Sequence, residues 1–133
     1  MTVHVDTSAL IDALSGPRRS LDTLIRLTGE GHRLALSTIV LYEWLRGPRT
    51  TADLDAQEAL LPSENAVRFG PAEAALAARL YQELPRVRGR EIDLAIAASA
   101  LINGAAIFTL NPEDFRDVPG LKLLDDADGL KIQ

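Results

Sequence analysis

Residues 91–110 read EIDLAIAASALINGAAIFTL, and this stretch decides the fold. From Glu91 to Asn103 the pattern is helical, with both charges, Glu91 and Asp93, in the first turn and an almost wholly apolar, alanine-rich remainder. A helix that is apolar all round is a buried one. It feeds directly into Ala106 to Leu110, a short apolar run of the kind that forms a strand covered on both faces. A buried helix followed by a buried strand is the repeating unit of a parallel sheet.

Outward from that unit the alternation continues. A first strand spans Thr2 to Asp6 and runs into Thr7-Ser8, which can cap a helix over Ala9 to Leu14 that ends at Gly16-Pro17. Helices are expected over Ser20 to Thr28, Thr38 to Leu45, Ala52 to Leu60 and Pro71 to Glu83. Strands are expected at Arg33 to Ser37, Ala66 to Phe69 and Lys122 to Leu124. The fold class is therefore α/β, a central twisted parallel sheet with helices on both faces, and the 133 residues suit one domain. Ligands in such sheets bind beyond the carboxyl ends of the strands. Asp6 closes the first strand, and Thr109 to Asn111 closes the strand after the alanine-rich helix.

Composition narrows the chemistry. No cysteine is present, which removes disulfides, thiolate nucleophiles and zinc–thiolate sites. Neither an export signal nor an apolar run of membrane-spanning length is read, so a cytoplasmic protein without membrane contact is expected. The net charge of −5 argues against nucleic-acid binding. Its distribution softens that objection, because most of the basic residues are arginines and several are grouped: Arg18 with Arg19, Arg46 with Arg49, and Arg86, Arg88 and Arg90. Arginine is the better bidentate phosphate partner, whereas a solvated loop is the plain alternative for each group.

Each acid near the strand ends has an ordinary explanation. Asp6 can cap the helix that follows it. Glu43 lies in Thr38-Ile-Val-Leu-Tyr-Glu-Trp-Leu45, which is apolar on nearly every side, so its carboxylate needs a partner, either Arg46 at i+3 or a metal. Asp93 suits the positive end of its helix dipole, and Asn111-Pro-Glu-Asp114 reads as a helix start. Together they are less ordinary, since the topology can bring Asp6, Glu43, Asp93 and Asp114 to one end of the sheet. Acids gathered there repel one another unless a cation compensates. Mg2+ is the natural one, because it takes oxygen ligands and keeps waters for a substrate phosphate. Of the two histidines, His4 sits inside a strand, where a structural role is expected, so neither zinc nor a Ser-His-Asp triad is favoured.

Taken in order, Asp6-Thr7-Ser8, Tyr42-Glu43, Asp93-Leu-Ala-Ile-Ala-Ala98 and Thr109-Leu-Asn111-Pro-Glu-Asp114-Phe115, followed by Val118-Pro-Gly-Leu121, resemble the PIN domain and, within it, the VapC toxins of bacterial toxin–antitoxin pairs. The resemblance covers nearly the whole chain. It implies a single PIN-like domain over residues 1–133, a homodimer, and Mg2+-dependent cleavage of RNA, with Mn2+ as a substitute ion. It also implies inhibition by a cognate VapB-type antitoxin whose C-terminal segment crosses the active site, and contact with operator DNA only through that complex. The site residues it implies are Asp6 and Asp93 as direct metal ligands, Glu43 acting through water or assisting deprotonation, and Asp114 or Asn111 completing the set, since the family's fourth acidic position varies. Ser8 is a supporting donor, and Arg86, Arg88 and Arg90 are candidates for substrate phosphates.

Rival readings are weaker. A receiver domain needs an acidic neighbour beside Asp6 and an earlier lysine than Lys122 or Lys131, and a haloacid-dehalogenase-like phosphatase needs Asp where Ser8 stands. The serious rival is a PIN-fold binding module that acts through its partner on operator DNA without cutting RNA.

Overall fold

The structure is a computed structural model in which residues 1–124 are described; the expected domain runs on to residue 133, so its end lies outside the described residues. Four strands, β1 (Thr2–Val5), β2 (Arg33–Ala35), β3 (Ala106–Phe108) and β4 (Leu123–Leu124), form one sheet in the order β2-β1-β3-β4. Every pairing is parallel. Six helices connect them: α1 (Thr7–Leu14), α2 (Arg19–Gly29), α3 (Thr38–Arg46), α4 (Thr51–Leu60), α5 (Pro71–Glu83) and α6 (Glu91–Ile102). Single 3-10 turns stand at Ser63–Asn65 and Pro112–Asp114.

Burial explains the layering. Val3, His4 and Val5 are buried in succession, as are Ala106, Ile107 and Phe108. Side chains alternate between faces along a strand, so a run buried at every position is covered on both sides. The α6 helix behaves as its composition requires: Leu94 to Ala100 are all buried. Its alanines let it pack closely against its neighbours without overfilling the interior.

Two local expectations are corrected. Ala66 to Phe69 is not a strand but a single parallel bridge between Ser37 and Val67. The ladder stops because Ser37 is already the N-cap of α3, accepting from the Val40 N–H, while the Phe69 N–H donates to the Thr38 hydroxyl. The second concerns helix caps. Asp6 occupies the N-cap position of α1, yet its side chain makes no capping bond, and the Asn111 side chain does not cap the turn that follows it.

Trp44 is fully buried, so this part of the aromatic bulk on α3 belongs to the core. Arg49 closes over it, with its guanidinium carbon 4.2 Å from the ring centre and its Nε donating to the Trp44 carbonyl at 2.9 Å. Trp44→Ala is expected to destabilise the fold by about 3–5 kcal/mol, the usual cost of emptying a large aromatic site. Urea denaturation checks this, and a loss below about 1 kcal/mol would contradict the packing described.

Candidate active site

The register of the two central strands builds the site. Val5 of β1 pairs with Phe108 of β3, and the Asp6 N–H continues the ladder onto the Phe108 carbonyl at 2.9 Å. Asp6 and Thr109 are therefore the next residues on neighbouring strands, and both are buried. The Thr109 hydroxyl donates to Asp6 Oδ2 at 2.7 Å, and the Ser8 hydroxyl, from the first turn of α1, donates to the same oxygen at 3.0 Å. Backbone donors fix the two hydroxyls in turn: the Leu110 N–H on Ser8 Oγ at 3.1 Å and the Asn111 N–H on Thr109 Oγ1 at 3.0 Å. Both hydroxyls land on Oδ2, which leaves Oδ1 without a side-chain donor.

Glu43 projects from α3 and is half-buried. Thr7 donates to its Oε1 at 2.6 Å, and Arg46 reaches Oε2 at 3.3 Å from a largely exposed position. The expected i+3 ion pair is thus present, but it shares Glu43 with a hydroxyl from the segment that carries Asp6.

Electrostatics ties the four acids together. Burial pushes the Asp6 carboxyl up, the Thr109 and Ser8 hydroxyls pull it back, and the Glu43 charge adds to the rise. Asp93 is pushed up to about 6, first by desolvation and then by the charges of Asp114, Asp6 and Glu43, with Arg90 opposing. Each sequence-predicted acid thus acts on Asp93. Asp114 enters that set through its carboxylate, whereas Asn111 is exposed and contributes a backbone N–H to Thr109.

The donor set suits a hard cation. It consists of carboxylate and hydroxyl oxygens with no sulfur, and His4 is buried in β1 with its pKa lowered by desolvation. His4 instead lines a cavity of about 580 Å³ with Arg33, Leu61, Asn65 and Asn103, and none of the four acids borders it. Among the described residues no three His, Asp or Glu side chains stand together as a ready-made cage. Carboxylate and hydroxyl oxygens are the donors that hard cations take, alongside waters and a substrate phosphate.

The arginines divide. Arg86 and Arg88 are exposed, while Arg90 is held by the two carboxylate oxygens of Asp117 at 2.9 and 2.6 Å. Thr7, Thr109 and Asp117 are the contributors that the sequence reading did not assign to the site. The Thr7 and Thr109 hydroxyls had a signal, since each sits within a residue or two of a strand end; Asp117 had none. The raised Asp93 value means that the folded chain binds this proton more tightly than the unfolded chain does. The resulting stability is present below the ordinary Asp value of 3.8 and is lost as the pH rises through about 6. In metal-free protein, Asp93→Asn is therefore expected to raise the melting temperature at pH 7.5 by a few degrees, with the gap closing near pH 4. Thermal melts in EDTA across that range check it, and a drop at pH 7.5 would return Asp93 to the role of a stabilising charge at the positive end of its helix.

Four likenesses bear on this geometry. The family model described as "PIN domain" matches residues 3–121. Ribonuclease VapC19 of Mycobacterium tuberculosis is 30% identical over 125 residues, which is 89% of this chain and 95% of the relative. Among solved structures, VapBC2 from Rickettsia felis bound to a promoter DNA fragment superposes with a TM-score of 0.73 at 21% identity, covering 94% of this chain and 98% of that one. A toxin–antitoxin complex from Klebsiella pneumoniae gives 0.69 at 25% identity, covering 90% and 94%. With a family model matching residues 3–121 and a relative 30% identical over most of both chains, the chain belongs to the PIN domain family.

Proposed function

We propose that the chain is a Mg2+-dependent endoribonuclease and the toxin of a VapBC-type toxin–antitoxin pair. The observation that carries the chemistry is the grouping of acids at the carboxyl end of the sheet: Asp6 held by Thr109, Glu43 held by Thr7 from the segment that carries Asp6, and an Asp93 carboxyl raised by desolvation and by the charges of Asp114, Asp6 and Glu43. Acids that repel in the empty protein are relieved by a divalent cation. Substrate class and partner are supported by the likeness to Ribonuclease VapC19 and to the Klebsiella toxin–antitoxin complex.

Asp6 and Asp93 would hold the ion, with Mn2+ as a substitute, and Asp114 would hold a second ion or the waters of the first. When bound, the ion lowers the pKa of a water and neutralises the charge that develops on the phosphate and leaving oxygen. Thr109 and Ser8 both bond Oδ2 and keep Asp6 in one orientation, so that Oδ1 would be the oxygen available to an ion. Glu43, steadied by Thr7, accepts a proton from the attacking water. Arg86 and Arg88 bring positive charge to the strand backbone. Tyr42 and Leu45, 56% and 51% exposed, leave an apolar face on α3 beside Glu43. Such a face suits protein contact, consistent with a homodimer that also accepts an antitoxin. No helix of the described residues is long and apolar enough to cross a membrane. We place the protein in the cytoplasm, where its substrate is.

Asp6→Asn and Asp93→Asn, freed of antitoxin, are expected to lose RNA cleavage by at least about a hundredfold, and with it growth inhibition, while remaining folded. End mapping of total RNA with and without Mg2+ reads this, and full activity in both variants would overturn the assignment. Wild-type protein that leaves RNA intact but grips operator DNA with its antitoxin would establish the binding-module reading instead.

Because Arg90 is committed to Asp117, the RNA-path test needs only the other two arginines. In an Asp6→Asn background, Arg86→Ala with Arg88→Ala is expected to flatten the slope of log affinity against log salt by about 0.7 for each phosphate of single-stranded RNA that is no longer neutralised. An unchanged slope would move the path elsewhere.

A further inference from the structure

Arg90 lies immediately before α6, three residues from Asp93, and its side chain joins three segments. Nη1 and Nη2 grip the two oxygens of Asp117 at 2.9 and 2.6 Å, Nη2 also donates to the Asp114 carbonyl at 3.0 Å, and Nη1 reaches the Pro85 carbonyl at 3.4 Å. The Nε is buried and has no partner among the described residues. The charges of Asp93 and Asp114 both act on this guanidinium, yet none of its hydrogen bonds goes to either carboxylate. A guanidinium prefers a bidentate carboxylate to single contacts, and Asp117 supplies one.

Asp114 needs such control. Asp93 stands on a twelve-residue helix, but Asp114 belongs to a single 3-10 turn, whose own hydrogen bonds are few and poorly aligned. Without Asp117, the carboxylates whose charges still act on Arg90 are Asp93 and Asp114. A cation sitting on them competes with any metal.

We propose that Asp117 is a positioning residue of the metal site: by holding Arg90 in a two-oxygen grip, it keeps the guanidinium off the Asp93 and Asp114 carboxylates and ties the Asp114 turn to the start of α6. This rests on the metal-dependent reading above.

The test uses full-length, antitoxin-free protein without RNA and measures Mn2+ affinity by calorimetry, alongside the Mg2+ concentration that half-saturates cleavage. Asp117→Asn is expected to weaken Mn2+ binding about tenfold, the scale seen when an outer-shell partner is removed, and to raise the Mg2+ requirement by the same factor. The cleavage rate at saturating Mg2+ should stay within about threefold. Asp117→Glu, which keeps a carboxylate, should hold wild-type affinity. Adding Arg90→Gln to Asp117→Asn removes the released cation and should restore Mn2+ binding even where the melting temperature falls further. A purely structural ion pair predicts the reverse: lower melting temperature, unchanged Mn2+ affinity in Asp117→Asn, and no recovery in the double variant. Either of the last two results overturns the proposal. Wild-type protein that binds Mn2+ but leaves RNA intact defeats the ribonuclease reading alone, and the Mn2+ affinities still decide the role of Asp117. Wild-type protein that binds no Mn2+ defeats both.

Discussion

The parallel pairing of β1 with β3 is the constraint on which the site depends. It fixes Asp6 and Thr109 side by side at the carboxyl end of the sheet, so that a buried carboxylate meets a hydroxyl donor at 2.7 Å. Burying an unpartnered charge costs several kcal/mol, and hydrogen bonds to the charged form recover much of it. Ser8 adds a second donor, and backbone N–H groups fix both hydroxyls. Asp6 is thereby turned from an N-cap candidate into a fixed hydrogen-bond acceptor: its backbone starts α1, while its side chain points across to the end of β3.

Around that buried pair the fold gathers like charges at half-buried positions, where water screens them less than at an open surface. The rise of Asp93 is the measure of that tension, and Asp114, Asp6 and Glu43 all feed it. A structure made only for stability would place neutral side chains there. The positive end of α6 and the Arg90 charge offset part of that repulsion.

The arginines show how tertiary contacts sort residues that look alike in sequence. Arg49 stacks on Trp44, Arg46 lies over Tyr42 and against Glu43, and Arg90 is held by Asp117. Arg86 and Arg88 remain exposed. An acidic chain can therefore still present positive charge on an exposed loop, because placement rather than net charge sets the local potential.

Much of this was legible in the order of residues. The apolar α6 helix and the short buried strands around it declared a covered parallel sheet, since periodicity and burial are local signals that a chain carries with it. The acids at positions 6, 43, 93 and 114 were legible for the same reason, each standing at a strand end, a helix start or in an apolar run. What the sequence left open required partners distant along the chain. Whether Asp6 caps its helix was decided by Thr109, more than a hundred residues away. Ala66 to Phe69 failed to form a strand because Ser37 and Thr38 had claimed the neighbouring hydrogen bonds for α3. Trp44 went to the core while Tyr42 stayed outside, and Arg90 was claimed by an aspartate with no motif around it. Local propensity fixes elements, but a hydrogen bond or ion pair between segments exists only once the sheet has brought both partners into register.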